Sequence, residues 1–440
     1  MTRSIAIIGG GASGALLAIN LANLANLSQS QVEITVYEPR QHLGEGVAYS
    51  TTDAQHLLNV PAIGMSAFVE LPTHFRDWAG VGDGDFVERR RYGVYLRETL
   101  ANTLRENTFA TLQHSQHLVT DISPKNRIAL TLQENSVAMH DAVVVATGNS
   151  APVCPSFIKP HDRVIVDPWA PNALSGIKSG DRVACIGTGL TFVDVALSLV
   201  ARGATVSAFS RHGLLPREHA KMSELPKPPK TFANSRSALR WLREQSDWRA
   251  AVNSLRPMTQ SLWQSFDDGE RRRFLRHAMR FWEIHRHRMA PRVAEQLNLL
   301  IANGSVTVAA MRVASVRETS DTRLQLVDNF GAATEAFDRI VLCTGPSDDA
   351  SSGEHLLATL LAKGLFQRGQ LNIGIANDPQ TGAVYDTNSC AIENIFCIGT
   401  MRRGALWETT AVPELRVQAH QLAKKLIVGV EGLEPPTLSL

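Results

Sequence analysis

The fold class predicted by this 440-residue sequence is α/β: two doubly wound units, one inserted into the other, with an added helical segment. Three observations predict it. First, two stretches follow one plan, "SIAIIGGGASGALLAINLANLANLSQSQVEITVYEPR" from residue 4 and "DRVACIGTGLTFVDVALSLVARGATVSAFSRHG" from residue 181. Each reads as an apolar strand, a glycine turn, an amphipathic helix and a second β-branched strand ending at a charged residue. Second, two further apolar strands, "AVVVATGNSAP" at 142–152 and "RIVLCTGPSDD" at 339–349, both run into Thr-Gly. Third, the order is first glycine turn, first Thr-Gly strand, second glycine turn, second Thr-Gly strand, and then a last strand, "ENIFCIGT", with its own turn.

That order places one unit inside the other. The chain is expected to leave the first unit near "NSAPVCP" and return near "GPSDDASSG", both rich in turn formers. The expected organisation is a first part at 1–155, an inserted unit at 156–345, a second part of the first unit at 346–428 and a disordered tail at 429–440. Within the insert, about 222–300 reads as helical, through "RSALRWLREQSDWRAAVNSL" and "GERRRFLRHAMRFWEIHRHRMAPRVAEQLNLLI".

Composition narrows the function. A net charge of +2 argues against general nucleic-acid or membrane binding, which needs a strong basic excess. The five cysteines form no C-x-x-C pair, which suits a reducing cytosol and argues against a zinc site or redox disulfide. No metal is expected. The apolar start is broken by adjacent glycines and by Asn20 and Asn23, unlike a leader or membrane span, so a cytoplasmic location is expected.

The chemistry concentrates at the turns. Gly9, Gly11 and Gly14, with Ala12 and Ser13 between them, form G-x-G-x-x-G between a strand and a helix. The glycines permit a tight turn, close approach of backbone to a pyrophosphate, and close helix–strand packing. Helix N–H groups and dipole favour the phosphates. Glu38, at the next strand's tip, can accept hydrogen bonds from ribose hydroxyls. The second turn has Gly187, Thr188 and Gly189, but Phe192 where a third small residue belongs, so looser helix–strand contact is expected. Its strand tip carries Ser210 and Arg211. Arginine suits a 2′-phosphate through charge-assisted bonds, whereas glutamate repels it. The second site is therefore read for NADPH, with NADH less suited, and the first for a dinucleotide lacking that phosphate.

These features resemble the flavoproteins with two dinucleotide-binding domains. Within them, "GEGVAYSTTDAQHLLNVPAIGMSAF", "GTGLTFVDVALSL", "SRHGLLPREH", "HRHRMAP" and "RRGALWETTAVPELRVQA" resemble a bacterial family of FAD/NAD(P)-binding proteins that includes an FAD-dependent urate hydroxylase. The resemblance spans about residues 3–425. It implies two Rossmann-like domains, the NADPH domain inserted into the FAD domain. It implies FAD contacts at Gly9, Gly11, Gly14, Glu38, Thr147 and Gly148, with Asn59, Met65 and Ser66 around the flavin ring. It further implies that Gly399 and Thr400 meet the ribityl chain, where relatives usually carry Asp in place of Thr400. A helix beginning near Trp407, Glu408 and Thr409 is expected to aim its N–H groups at the pyrimidine edge, favouring an anionic reduced ring.

Disulfide reductases of this architecture need a cysteine pair beside the flavin, and residues 44–70 contain no cysteine. The expected activity is an NADPH-dependent FAD monooxygenase. It would hydroxylate a small polar, urate-like or otherwise nitrogen-containing substrate with molecular oxygen through a peroxyflavin. The alternatives are an NAD(P)H:acceptor flavin reductase without oxygen insertion and a non-catalytic nucleotide-binding sensor. No general base is assigned: His42, His56 and His212 have no partner legible in sequence. His285 and His287, two apart, make a poor metal pair, and the basic run around them, with Arg280 and Arg288, reads as a solvated or salt-bridged helix ahead of an NADPH-phosphate or acidic-substrate site. Trp241, Trp248, Trp263 and Trp282 read as core or lid packing.

Overall fold

The computed structural model describes residues 2–105, 107–352 and 355–428. The expected tail at 429–440 lies outside the described residues, as does Gly353 of the return segment. Two sheets organise the chain. The larger has six strands in the spatial order Ala383–Tyr385, Ala391–Cys397, Ala142–Val145, Arg3–Ile8, Val32–Tyr37 and Ala110–Ser115. All neighbours are parallel except the first pair. The smaller has five strands, Val306–Ala310, Thr205–Ser210, Arg182–Ile186, Arg339–Leu342 and Val164–Ile165, all parallel.

Parallel strands need crossovers and are covered on both faces, which explains their unbroken apolar runs. Ile5, Ala6 and Ile7 are fully buried, as are Val183, Ala184 and Cys185. The helix Ala12–Ser28 covers one face of the larger sheet, and the helix Val412–Val428 shares its core. The larger sheet thus takes strands from both ends of the chain, and the smaller sheet lies wholly between them. The outgoing and returning segments run side by side, joined by an antiparallel bridge between Ser150 and Ser347.

Each sheet also carries an antiparallel excursion before its Thr-Gly strand, which the sequence reading did not anticipate. Val119–Ser123, Ile128–Leu132 and Val137–His140 form one; Val313–Glu318 and Leu324–Asp328 form the other. Their two-residue alternation is short and blunted by bulges, so it carries little periodic signal.

The helical segment is several short helices rather than one basic rod. Ser235–Glu244 starts on an Asn234–Ser237 capping box, Trp248–Leu255 on Asp247 and Asp268–His277 on Asp267. Met279–Arg286 ends before Pro291, which opens Pro291–Ala302 at its first position and holds Ala290 extended.

Two expectations are corrected. Phe192 does not loosen the second unit: its ring is fully buried with Val193, Val206 and Leu297. The C-terminal helix starts at Val412, not near Trp407. A 3₁₀ turn at Gly399–Arg402 and one helical turn at Arg403–Leu406 come first, and Trp407 breaks them with φ of +61°. Pro413 in the helix's first turn costs no hydrogen bond there.

Candidate functional site

The strand register brings the first group of expected residues to one edge. Ile8 pairs with both Tyr37 and Val145, and Val145 pairs with Cys397. The residues after these strand ends therefore converge at the carboxyl edge: Gly9, Glu38, Thr147 with Gly148, and Gly399. Gly9 has φ of +102°, and a Cβ there would stand 2.5 Å from the Ala146 carbonyl oxygen. Gly14 admits no Cβ because the Gly9 carbonyl is in its place, so the helix lies directly on the turn. Gly11 caps that helix, and Ala12 and Ser13 open it. Glu38 is buried, accepting from the Gly10 N–H at 2.9 Å and the Arg40 N–H at 3.0 Å.

Gly399 joins the two ends of the chain at this edge. A Cβ on it would lie 2.7 Å from the Ser13 Oγ. Its N–H donates to the Gln418 Oε1 at 3.2 Å, and its carbonyl accepts from the Thr409 Oγ1 at 3.0 Å. Gln418 Nε2 closes the loop onto Thr409 at 2.6 Å. Thr147 and Thr400 differ from their neighbours. Both Oγ1 atoms are buried, yet neither has a hydrogen-bond partner among the described residues. Buried hydroxyls are ordinarily paired. Two orphans beside one glycine turn fit a bound group with polar edges.

Other expected residues are otherwise engaged. The Ser66 hydroxyl donates to the Leu71 carbonyl at 2.6 Å and accepts from the Phe68 N–H, stapling its own loop. Trp407 stacks on Trp263, centroids 5.0 Å apart. The Glu408 Oε1 accepts from the Trp282 Nε1 at 2.8 Å, and Arg286 lies 3.5 Å from its other oxygen. The Thr409 hydroxyl is spent in the Gly399 loop. Trp407 and Glu408 lock the helical segment onto the C-terminal loop instead of pointing from a helix start. Trp263 and Trp282 are core, as read; Arg271, Arg286 and Arg288 are buried and polar-bonded, not solvated.

The second edge repeats the first. Ile186 pairs with Phe209 and Leu342, so Gly187, Ser210 and Thr344 converge. Gly187 has φ of +106°, and a Cβ there would stand 2.7 Å from the Cys343 carbonyl carbon. These residues open onto a cavity of about 670 Å³ lined by Gly187, Thr188, Gly189, Ser210 and Arg211. Thr188 Oγ1 bonds Ser210 Oγ at 2.9 Å and the Leu214 carbonyl at 2.6 Å, tying turn to strand tip. Arg211 is exposed at the rim.

Arg280 comes from the helical segment, in the basic run whose second reading is an NADPH-phosphate site. Its Nη2 donates to the carbonyls of Thr188 at 3.0 Å and Leu214 at 2.8 Å, and its Nη1 overlies Gly189. Burial lowers its pKa and the like charge of Arg211 adds to that, while Glu283 opposes. A bound anion beside Arg280 would favour its charged form.

A smaller cavity of about 160 Å³ is lined by Tyr49, Asn59, Met65, Arg89, Thr410 and Val412, among others. Asn59 and Met65 thus face it, and Val412, the first residue of the helix Val412–Val428, lines it too. Burial pushes the Tyr49 hydroxyl up to about 12 despite Arg89, so it stays a neutral donor. Arg89 pairs with buried Asp194 of the second unit at 2.9 Å. Burial raises the Asp194 pKa against the pull of Arg89. His56 gains partners that sequence could not show: Thr51 at 2.7 Å, Ser198 at 2.9 Å and, through Ser198, Asp53. This buried network rivets the loop 51–56 to the helix Leu190–Ala201. His42 and His212 gain no comparable network.

Among the described residues, His287 alone lines both cavities. Among the described residues, no group of three or more potential ligands could hold a metal ion, and no helix is long and apolar enough to cross a membrane.

Residues 6–150 match a family described as FAD-NAD(P)-binding. No curated protein sequence matches the chain. Among solved structures, the ornithine hydroxylase from Pseudomonas aeruginosa is similar with 15% identity, covering 98% of this chain and 100% of its own, at a TM-score of 0.62. L-lysine 6-monooxygenase from Pseudomonas syringae gives 17% identity, 98% and 100% coverage, and 0.62. Bacillithiol disulfide reductase from Staphylococcus aureus gives 14%, 98% and 100%, and 0.58. At these identities the likeness is one of fold, and it extends over the whole chain.

Proposed function

We propose that the protein is an FAD-dependent oxidoreductase reduced by NADPH, acting as a monooxygenase on a small, polar, nitrogen-containing substrate. The observation that carries this reading is the presence of two glycine-turn edges of one plan in a single chain. One opens on a cavity lined by Arg211 and Arg280; the other carries two hydroxyls without a partner among the described residues; and His287 lines both that cavity and a smaller one.

The residues suit their parts. Thr147 and Thr400 would bond the polar edges of FAD, Glu38 its ribose, and the turn Gly9–Gly14 its pyrophosphate. Bound FAD supplies the hydride acceptor and the oxygen chemistry. The protein's own work is placement and shielding. Arg211 takes the 2′-phosphate of NADPH, and the Gly187–Gly189 turn with Arg280 takes the diphosphate. Leu58, Val60, Met65 and Val412 give the smaller cavity apolar walls beside the polar Tyr49, Asn59, Arg89 and Thr410. Glu283, Asp348 and Arg403 offer both signs of charge to a polar substrate. The hydroxylase and monooxygenase likenesses, whose names concern ornithine and lysine, favour an amine or other nitrogen-bearing substrate, with urate-like molecules as the next class.

All five cysteines lie outside residues 44–70, which speaks against a dithiol relay. The test is anaerobic reduction of the purified yellow protein by NADPH, followed by oxygen uptake across a panel of amines and purines. Uptake coupled to a hydroxylated product is expected. Transfer to quinones or dyes without oxygenation would establish the acceptor-reductase reading instead, and a cofactor that stays oxidised under NADPH would leave only a sensor.

A further inference from the structure

His287 occupies the break between Met279–Arg286 and Pro291–Ala302. The break is held from both sides. Met289 exchanges backbone bonds with Arg217 and His219, at 2.8 and 2.9 Å, and the buried Arg286 reaches Glu414 at 3.2 Å. His287 is anchored by its own N–H to the Glu283 carbonyl at 2.8 Å. Its ring receives no protein hydrogen bond among the described residues, although it lies between two cavities. An imidazole held rigidly at a junction and left without a partner is available to a ligand.

The ring is neutral. Burial lowers its pKa to about 4, with Arg286 and Arg403 acting the same way and Glu408 and Glu414 opposing. Glu283 and Arg89 face it from the two cavities. A neutral imidazole presents one N–H donor and one bare nitrogen acceptor. The two nitrogens point away from one another, so a primary carboxamide meets one of them, its oxygen accepting from the N–H or its NH₂ donating to the bare nitrogen.

We propose that His287 binds the carboxamide of the nicotinamide ring and so holds that ring at the junction, facing the smaller cavity. This rests on the NADPH reading above. With the 2′-phosphate at Arg211 and the diphosphate between Gly187–Gly189 and Arg280, Glu283 and His287 continue the same wall one and two helical turns beyond Arg280, toward the smaller cavity that His287 also lines.

The test is calorimetric binding of two ligands to the FAD-loaded protein: NADP⁺, and 2′-phospho-ADP-ribose, which lacks the nicotinamide. In His287→Ala and His287→Phe, NADP⁺ should bind about tenfold more weakly, the scale of one hydrogen bond. The affinity for 2′-phospho-ADP-ribose should stay within about twofold, which also certifies the fold. His287→Gln, restoring a donor and an acceptor, should recover most of the loss. Equal weakening of both ligands, or no change in either, overturns the assignment. Failure of 2′-phospho-ADP-ribose to bind the unaltered protein overturns the NADPH reading beneath it.

Discussion

Gly187→Ala separates the two nucleotide sites. The native φ of +106° lies beyond the left-handed well that a side chain tolerates, at a cost of about 1–3 kcal/mol. The added Cβ would stand 2.7 Å from the Cys343 carbonyl carbon and 3.2 Å from the Thr344 nitrogen. Both are backbone atoms of a strand end, so no rotamer change relieves the clash. Relief requires the turn to move outward by roughly half an ångström, and overpacking of this kind costs about 1–3 kcal/mol more. A turn displaced in this way no longer presents its N–H groups to the diphosphate. If about 3 kcal/mol must be recovered on binding, NADPH affinity falls on the order of 100-fold. The assay is FAD content by absorbance together with the concentration dependence of anaerobic reduction. FAD should remain stoichiometric while half-saturation by NADPH rises about 100-fold. Gly9→Ala, with the same geometry against Ala146, should do the reverse and empty the FAD site. Loss of FAD from Gly187→Ala with NADPH affinity intact would refute the assignment of the two edges.

Three further outcomes are expected. Arg211→Ser removes a charge-assisted contact of about 1.5–3 kcal/mol, so the NADPH-over-NADH preference, measured as the ratio of kcat/KM, should fall about 10- to 100-fold. Thr147→Val and Thr400→Val delete hydroxyls that have no partner in the protein alone; the apoprotein should keep or gain thermal stability while FAD binds several-fold more weakly by fluorescence titration. His140, buried between Tyr37 and Ser4, has its pKa lowered to about 4, with burial the main cause. The unfolded chain therefore binds more protons than the folded one between about pH 4 and 6.5. The stability from neutral His140 is full above about 6.5 and is lost as pH falls through that window, at no more than about 1.4 kcal/mol per pH unit. Urea midpoints of His140→Gln should be flatter than wild type from pH 4 to 6.5, and an unchanged slope would count against the burial argument.

Much of the fold was legible in the chain because its signals are local. A glycine turn between an apolar strand and a helix needs only neighbouring residues, so Arg3–Ile8 with Ala12–Ser28, and Arg182–Ile186 with Leu190–Ala201, stand where the pattern puts them. The short antiparallel excursions and the true start of the C-terminal helix were not legible. Val119–Ser123 has too few alternating residues, and Trp407 breaks the helix through its packing on Trp263 rather than through its type.

By itself, then, the sequence determined the two glycine turns, the contrast of Glu38 with Arg211, and the nesting of one unit inside the other, because periodicity and turn chemistry act within about 30 residues. Only the tertiary structure decided which distant side chains share a space. It set Arg280 over Gly189, left Thr147 and Thr400 unpaired at one edge, turned Glu408 toward Trp282, and stood His287 between two cavities. Those juxtapositions come from long-range packing, where a side chain's partner depends on shape and burial hundreds of residues away and leaves no periodic trace.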